Sequence, residues 1–194
     1  MKKIIIALGL ALATVSAHAQ TAKPVGGDMR YIVGIGLTAG GDDLATAYYQ
    51  KGGSVDIEAG GGVVFTTGID YRVNSTFSFQ GTVNFHVDDT NAKNGSIKFQ
   101  RFPIEVAAYV HPAQWLRIGG GVRYVSSPKL SSSGVASGID ARFDNTVSPM
   151  VEAEYLWGDS GGIKLRYVSE KYKLKNSNIE IDGNHVGIFA NYYF

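Results

Sequence analysis

The sequence predicts an all-β fold, an eight-stranded antiparallel β-barrel that crosses a membrane. Three observations carry the prediction. Eight segments alternate apolar and polar residues with period two, the connections between them alternate short and long, and aromatic residues gather at the short-turn ends. Beyond residue 19 no apolar run approaches the roughly 20 residues that a membrane helix needs, so a crossing has to be made by strands.

Residues 1–19 read as a cleavable signal peptide. Lys2 and Lys3 precede an apolar run at 4–13, and Ala17 and Ala19 supply the small residues that a signal peptidase reads. Cleavage after Ala19 leaves residues 20–28 as a short periplasmic leader and 29–194 as one barrel domain, with no internal repeat or linker. The chain has no cysteine, hence neither a disulfide nor a lipid attachment site. Losing two lysines with the signal leaves 16 basic against 17 acidic residues; with no basic stripe, there is no reason to expect nucleic acid as a partner.

The alternating segments are 29–38, 57–72, 76–88, 97–111, 115–126, 145–157, 162–173 and 182–194. The first sets Arg30 against Tyr31, and the second sets Asp70 and Arg72 against Tyr71. In the third, Phe77, Phe79, Val83, Phe85 and Val87 oppose Gln80, Thr82, Asn84, His86 and Asp88. In the fourth, Phe102, Ile104, Val106, Ala108 and Val110 oppose Arg101, Glu105, Tyr109 and His111. The fifth carries Arg117 and Arg123 on its polar face. The sixth opposes Tyr155 and Trp157 to Glu152 and Glu154, and the seventh opposes Ile163, Leu165 and Tyr167 to Lys164 and Arg166. In the last, Val186, Ile188, Ala190, Tyr192 and Phe194 share one face, and His185, Gly187, Phe189, Asn191 and Tyr193 the other. This is strand alternation, not a helical period.

Connections after segments two, four and six are tight, at 73–75, 112–114 and 158–161. Those after one, three, five and seven are longer and polar, at 39–56, 89–96, 127–144 and 174–181. The pattern predicts short periplasmic turns and long extracellular loops. A soluble sandwich or lipocalin-like barrel also alternates, but with its apolar face inward. Three features favour the membrane alternative. The charged face has its partners on neighbouring strands, as a narrow lumen requires. Tyr31, Tyr71, Phe77, Trp115, Tyr155, Trp157, Tyr192 and Phe194 cluster at the short-turn ends like an interface girdle. The third is the last strand.

That strand, "HVGIFANYYF", resembles the C-terminal signature of bacterial outer-membrane proteins, a terminal Phe with apolar or aromatic residues at alternating positions before it. Phe194 and Tyr192, with Ala190, Ile188 and Val186, match it. In architecture the chain resembles the small eight-stranded barrels of the OmpA transmembrane domain, OmpX and OmpW group. The resemblance implies insertion in the outer membrane of a Gram-negative bacterium as a monomer, contact with outer-membrane lipids and lipopolysaccharide, and recognition of Phe194 and Tyr192 by the assembly machinery. It implies no cofactor, and no periplasmic domain is expected after the eighth strand.

Two prolines, Pro103 and Pro149, fall inside strands and are expected near the outer rim, where a missing ladder bond can meet water. The runs Gly60-Gly61-Gly62 and Gly119-Gly120-Gly121 are expected to bend strands or let crowded side chains pass; neither run leads into a phosphate-loop element.

An eight-stranded barrel is just wide enough for side chains to fill. The inward positions are Arg30, Glu58, Asp70, Arg72, Gln80, Asn84, His86, Arg101, Glu105, Tyr109, Arg117, Arg123, Glu152, Glu154, Lys164, Arg166, Glu170 and His185. Unpaired buried charge is costly, so mixed signs predict a self-satisfied network, built around Glu152, Glu154, Lys164, Arg166, Arg117, Arg123, Glu105 and Arg101. The turn at 158–161 permits two registers, Glu154 opposite Lys164 with Glu152 opposite Arg166, or Glu154 opposite Arg166.

The expected function is therefore non-enzymatic, envelope structure or surface interaction through the outer loops. The alternatives are a small-solute transport barrel and a lipid A-modifying enzyme. No mature His has Ser two residues on, and His86, Asp88 and Ser96 are the one triad that can be drawn. The acids Asp42-Asp43 and Asp88-Asp89 are read as solvated loop charge in preference to a Ca²⁺ site, and Tyr48, Tyr49 and Lys51 as a weak hint of surface contact.

Overall fold

The computed structural model describes residues 27–48, 54–92, 95–134 and 137–194. The signal peptide at 1–19, nearly all of the leader at 20–28, and Tyr49 and Lys51 lie outside the described residues.

Eight strands close a barrel: β1 (Asp28–Ala39), β4 (Gly62–Arg72), β5 (Phe77–Ala92), β6 (Gly95–Ala113), β7 (Leu116–Gly134), β9 (Thr146–Trp157), β10 (Gly161–Val168) and β13 (His185–Tyr193). Each pairs antiparallel with its neighbours in chain order, and β13 returns to β1. Closure is completed by Phe194 and Tyr31, whose backbones exchange hydrogen bonds of 3.0 and 2.7 Å. Five shorter strands sit at the long-loop end. β2 (Asp43–Tyr48) pairs with β3 (Ser54–Glu58), β11 (Lys171–Lys173) with β12 (Glu180–Asp182), and β8 (Ala141–Arg142) adds to β7.

Side-chain exposure settles which way the alternation faces. Val106, Val151, Leu165 and Val186 are 55–59 % exposed, whereas Glu105, Glu152, Arg166 and His185 on alternate positions are at most 4 % exposed. A soluble sandwich would have the reverse. The girdle residues Tyr31, Tyr71, Phe77, Trp115, Tyr155, Trp157 and Phe194 are all exposed at the short-turn end. Their rings approach in pairs, Tyr31 with Phe194 at 5.9 Å and Trp115 with Tyr155 at 6.0 Å.

The sequence expectation fails in the outer half. Residues 89–96 are no long loop: β5 and β6 stay paired up to Ala92 and Gly95, and β7 runs on to Gly134. The polar composition that suggested loop is that of strands continuing above the membrane. Segment 57–72 is also two strands, broken at 59–61, and residues 171–173 and 180–182 form a hairpin of their own.

In this outer extension the inside-out pattern reverts to the ordinary one. Ile97 and Phe99 turn inward on β6, at 3 and 0 % exposed, while Lys98 and Gln100 are the more open positions. On β7 the reversal is made by a bulge. Gln100 pairs with Lys129 and Phe102 with Ser126, so β7 has one extra residue here, and Ser127 adopts φ 47°. A bulge re-aims the side chains beyond it. Leu130 enters the interior at 4 % exposed and Lys129 points out. Pro103 stands two residues from this break and faces inward; Pro149, on β9, faces out.

Ile57, Ala59, Ile97, Phe99, Val125, Leu130, Phe143 and Tyr172 thus form an apolar core that closes the outer end. At the periplasmic end Ile32, Leu156 and Tyr193 form a smaller one. The charged lumen lies between.

Candidate functional site

The hairpin β9–β10 adopts the first of the two registers, Lys164 opposite Glu154 and Arg166 opposite Glu152. These four side chains belong to one continuous chain of opposite charges along the lumen. From the periplasmic end, Arg30 meets Asp70 at 2.6 Å, Asp70 meets Arg117 at 2.6 Å, and Arg117 meets Glu154 at 2.7 Å. Lys164 bridges Glu154 at 3.7 Å and Glu152 at 3.1 Å. Arg166 then joins Glu152 at 2.5 Å to Glu105 at 2.9 Å, and Arg123 joins Glu105 at 2.7 Å to Glu170 at 3.4 Å. Five cations alternate with five carboxylates, so the chain is neutral if all are ionised.

Neutral partners complete the hydrogen bonding, as a buried ion pair requires. Tyr193 donates to Glu154 at 2.6 Å, as does the Asn191 amide at 2.8 Å; Tyr109 donates to Glu152; and Lys164 reaches Gln80 at 2.8 Å. The Arg117 guanidinium also lies over the Tyr109 ring at 4.2 Å, and Arg166 over Phe189 at 4.5 Å. Tyr109 needs room for this. A Cβ on Gly119, opposite it on β7, would overlap its ring, which accounts for one glycine of the second run. In the first run Gly62 has φ 121° against the Val87 backbone, a conformation that favours glycine.

At the outer end the chain is handed to the apolar core. Tyr172 donates to Glu170 at 2.5 Å. Burial, with the Glu170 carboxylate beside it, pushes the Tyr172 hydroxyl up to about 12, so it stays protonated and remains a donor. At the periplasmic end a cavity of about 410 Å³ opens between Arg30, Arg72, Gln114, Trp115 and Asp159.

Arg101 departs from the sequence reading. It is fully buried, but among the described residues no carboxylate lies within ion-pair distance of it. It donates instead to the carbonyls of Ala59 and Gly61 and lies 4.5 Å over Phe99, at the base of the apolar core. Arg30, Asp70 and Glu170 are links that the eight-residue network omitted, and all three are among the inward positions. The apolar core was missed altogether, although Phe99 continues the parity of Arg101 and Glu105.

The triad drawn from the sequence is not assembled. His86 is fully buried and bonds to Arg123 at 3.0 Å, Thr38 at 2.9 Å and the Gly61 carbonyl at 3.0 Å, while Ser96 pairs with Ser133 at 2.9 Å. Asp88 accepts from the Glu58 amide and Asp42 from the Asp182 amide, so both acids cap backbone. Among the described residues no group of three His, Asp or Glu is arranged to hold a metal. Phe194 is exposed at the periplasmic rim, with its ring 6.1 Å from that of Tyr192.

Known proteins place this architecture. Two structures of the attachment invasion locus protein Ail of Yersinia pestis superpose with TM-scores of 0.57 and 0.55, at 10 and 12 % identity, each covering 88 % of this chain and 100 % of that one. The second was solved in complex with the heparin analogue sucrose octasulfate. The outer membrane protein OprG from Pseudomonas aeruginosa aligns over 88 % of this chain and 98 % of its own, at 11 % identity and a TM-score of 0.48. No curated protein sequence matches significantly. Residues 5–194 match the family described as outer membrane protein beta-barrel domain, and the chain belongs to that family of Gram-negative outer-membrane barrels.

Proposed function

We propose that the protein is a non-enzymatic, monomeric outer-membrane barrel that does not conduct solutes and acts through its outer extension, in envelope structure or surface interaction. The observation that carries this reading is the neutral chain of ten charged side chains from Arg30 to Glu170, which occupies the lumen where a solute would pass. A permeating ion would have to displace partners that are themselves desolvated, at several kcal/mol per ion. The purified protein in planar bilayers should therefore show no conductance above the bare membrane, and liposomes carrying it should not swell in small sugars. Steady single-channel openings would overturn the reading.

Absence of enzyme activity is part of the same proposal. Lipid A from cells with and without the protein should give the same mass spectrum. In assembly, residues 1–19 act as the export signal and Phe194 as the assembly signal. A Phe194-deleted protein should then accumulate unfolded in the periplasm; normal amounts in the outer membrane would remove that role.

A further inference from the structure

The bulge at Ser127 turns Lys129 outward, and three features of the backbone make a row of the side chains it meets. Lys129 is directly opposite Arg142 across the β7–β8 pair. The bridge between Phe143 and Leu174 sets Arg142 next to Lys175, whose amide donates to the Arg142 carbonyl at 2.9 Å. All three side chains are exposed. Adjacent strands are about 4.8 Å apart, so the row spans about 10 Å.

Like charges directly opposite one another destabilise a sheet, and nothing in the fold relieves this row. Among the described residues none of the three cations is in ion-pair contact with a carboxylate, whereas Lys98 and Lys171 have Asp89 and Glu180. Of the two nearby acids, Asp140 accepts from the amide and hydroxyl of Ser132, and Asp144, whose backbone pairs with that of a fourth cation, Lys173, makes no ion pair with the row.

The row's height identifies what supplies the missing anion. Going outward along β7, the outward-facing side chains are Val122, Tyr124, the half-buried Ser126 and then, past the bulge, Lys129; opposite them on β6 are Val106, Ile104, Phe102 and Gln100. The cations therefore lie just above the last lipid-facing apolar and aromatic side chains, on the flank of the barrel, where the headgroups of the outer leaflet are. A soluble polyanion would be met at the tips of the hairpins instead.

We propose that Lys129, Arg142 and Lys175 form a binding site for the phosphate groups of lipid A in the surrounding outer leaflet. This names a partner for the outer extension and rests on that part of the functional reading. It does not rest on the closed lumen, because a conducting barrel would bind the lipid equally well.

The test is binding of purified lipid A, with its phosphates and after enzymatic dephosphorylation, to the folded barrel in detergent. Each basic side chain near an anionic surface contributes about fivefold in affinity. Lys175→Gln alone should weaken binding of phosphorylated lipid A about fivefold, and the combined Lys129→Gln, Arg142→Gln, Lys175→Gln variant on the order of 100-fold. Lys171→Gln, off the row and paired, should leave it unchanged. Retained heat-modifiable gel mobility will show that the triple variant is folded, as expected for surface changes. An unchanged affinity in the triple variant, equal binding of the dephosphorylated lipid, or stronger capture of a sulfated polysaccharide than of lipid A would each overturn the proposal.

Discussion

The same barrel is filled in two ways. At membrane height its inward positions hold Asp70, Arg117, Glu152, Glu154, Lys164 and Arg166, and its outward ones are apolar. Above the bulge at Ser127 the inward positions hold Phe99, Leu130, Phe143 and Tyr172, and the outward ones are polar. The solvent outside the wall explains the difference. Lipid outside demands apolar outward side chains, and the barrel must then hold its interior with charges that satisfy one another. Water outside frees the outer extension to fold like a small soluble sheet around an apolar core. The switch in pattern therefore marks the edge of the membrane, and the two fillings should respond differently to substitution.

The largest effect is expected in the charged layer. Arg117→Met removes the one cation shared by Asp70 and Glu154 and should cost about 3–5 kcal/mol, because two buried carboxylates each lose one of their two cationic partners, leaving Asp70 with Arg30 and Glu154 with Lys164. Urea unfolding in phospholipid vesicles measures it, and a loss below about 1 kcal/mol would mean that water reaches this layer. In the apolar core a comparable-volume change is tolerated better. Phe99→Leu should cost about 1–2 kcal/mol, since the site keeps its apolar character and its neighbours Phe143 and Tyr172. The smallest effect is that of salt. Raising ionic strength from about 0.1 to 1 M shortens the screening length from about 10 to 3 Å, but it screens exposed charges and not buried pairs. Stability should move by less than about 0.5 kcal/mol, while lipid A binding at the exposed row weakens strongly.

The sequence led as far as local patterns reach. Period-two alternation is a property of one strand, so the barrel, its lipid face and the inward charges were legible. Glu152–Arg166 and Glu154–Lys164 were legible as one of the two registers that the tight turn at 158–161 permits, and the structure selects it. Arg117–Asp70 and Arg166–Glu105 were not. These pairs join strands that are not neighbours, and they meet across the lumen at heights set by strand tilt and stagger. The outer core stayed hidden for another reason. Serine-rich, charged residues such as 127–134 look like loop when the outside is assumed to be lipid, and one bulged residue reverses which of them face inward.

The central claim is that the lumen is held by mutual pairing of buried charges, and the Glu152–Arg166 pair tests it most directly. The two meet at 2.5 Å, and removing both leaves Lys164 with Glu154 and Glu105 with Arg123, so the remaining network is still neutral and still paired. In a double-mutant cycle with Glu152→Gln and Arg166→Met, read out by unfolding in lipid vesicles, each single substitution should cost about 3–5 kcal/mol. The double variant should cost less than their sum by about 1–3 kcal/mol. Coupling near zero, with single effects below about 1 kcal/mol, would show that these groups are hydrated and that the lumen is an open aqueous space.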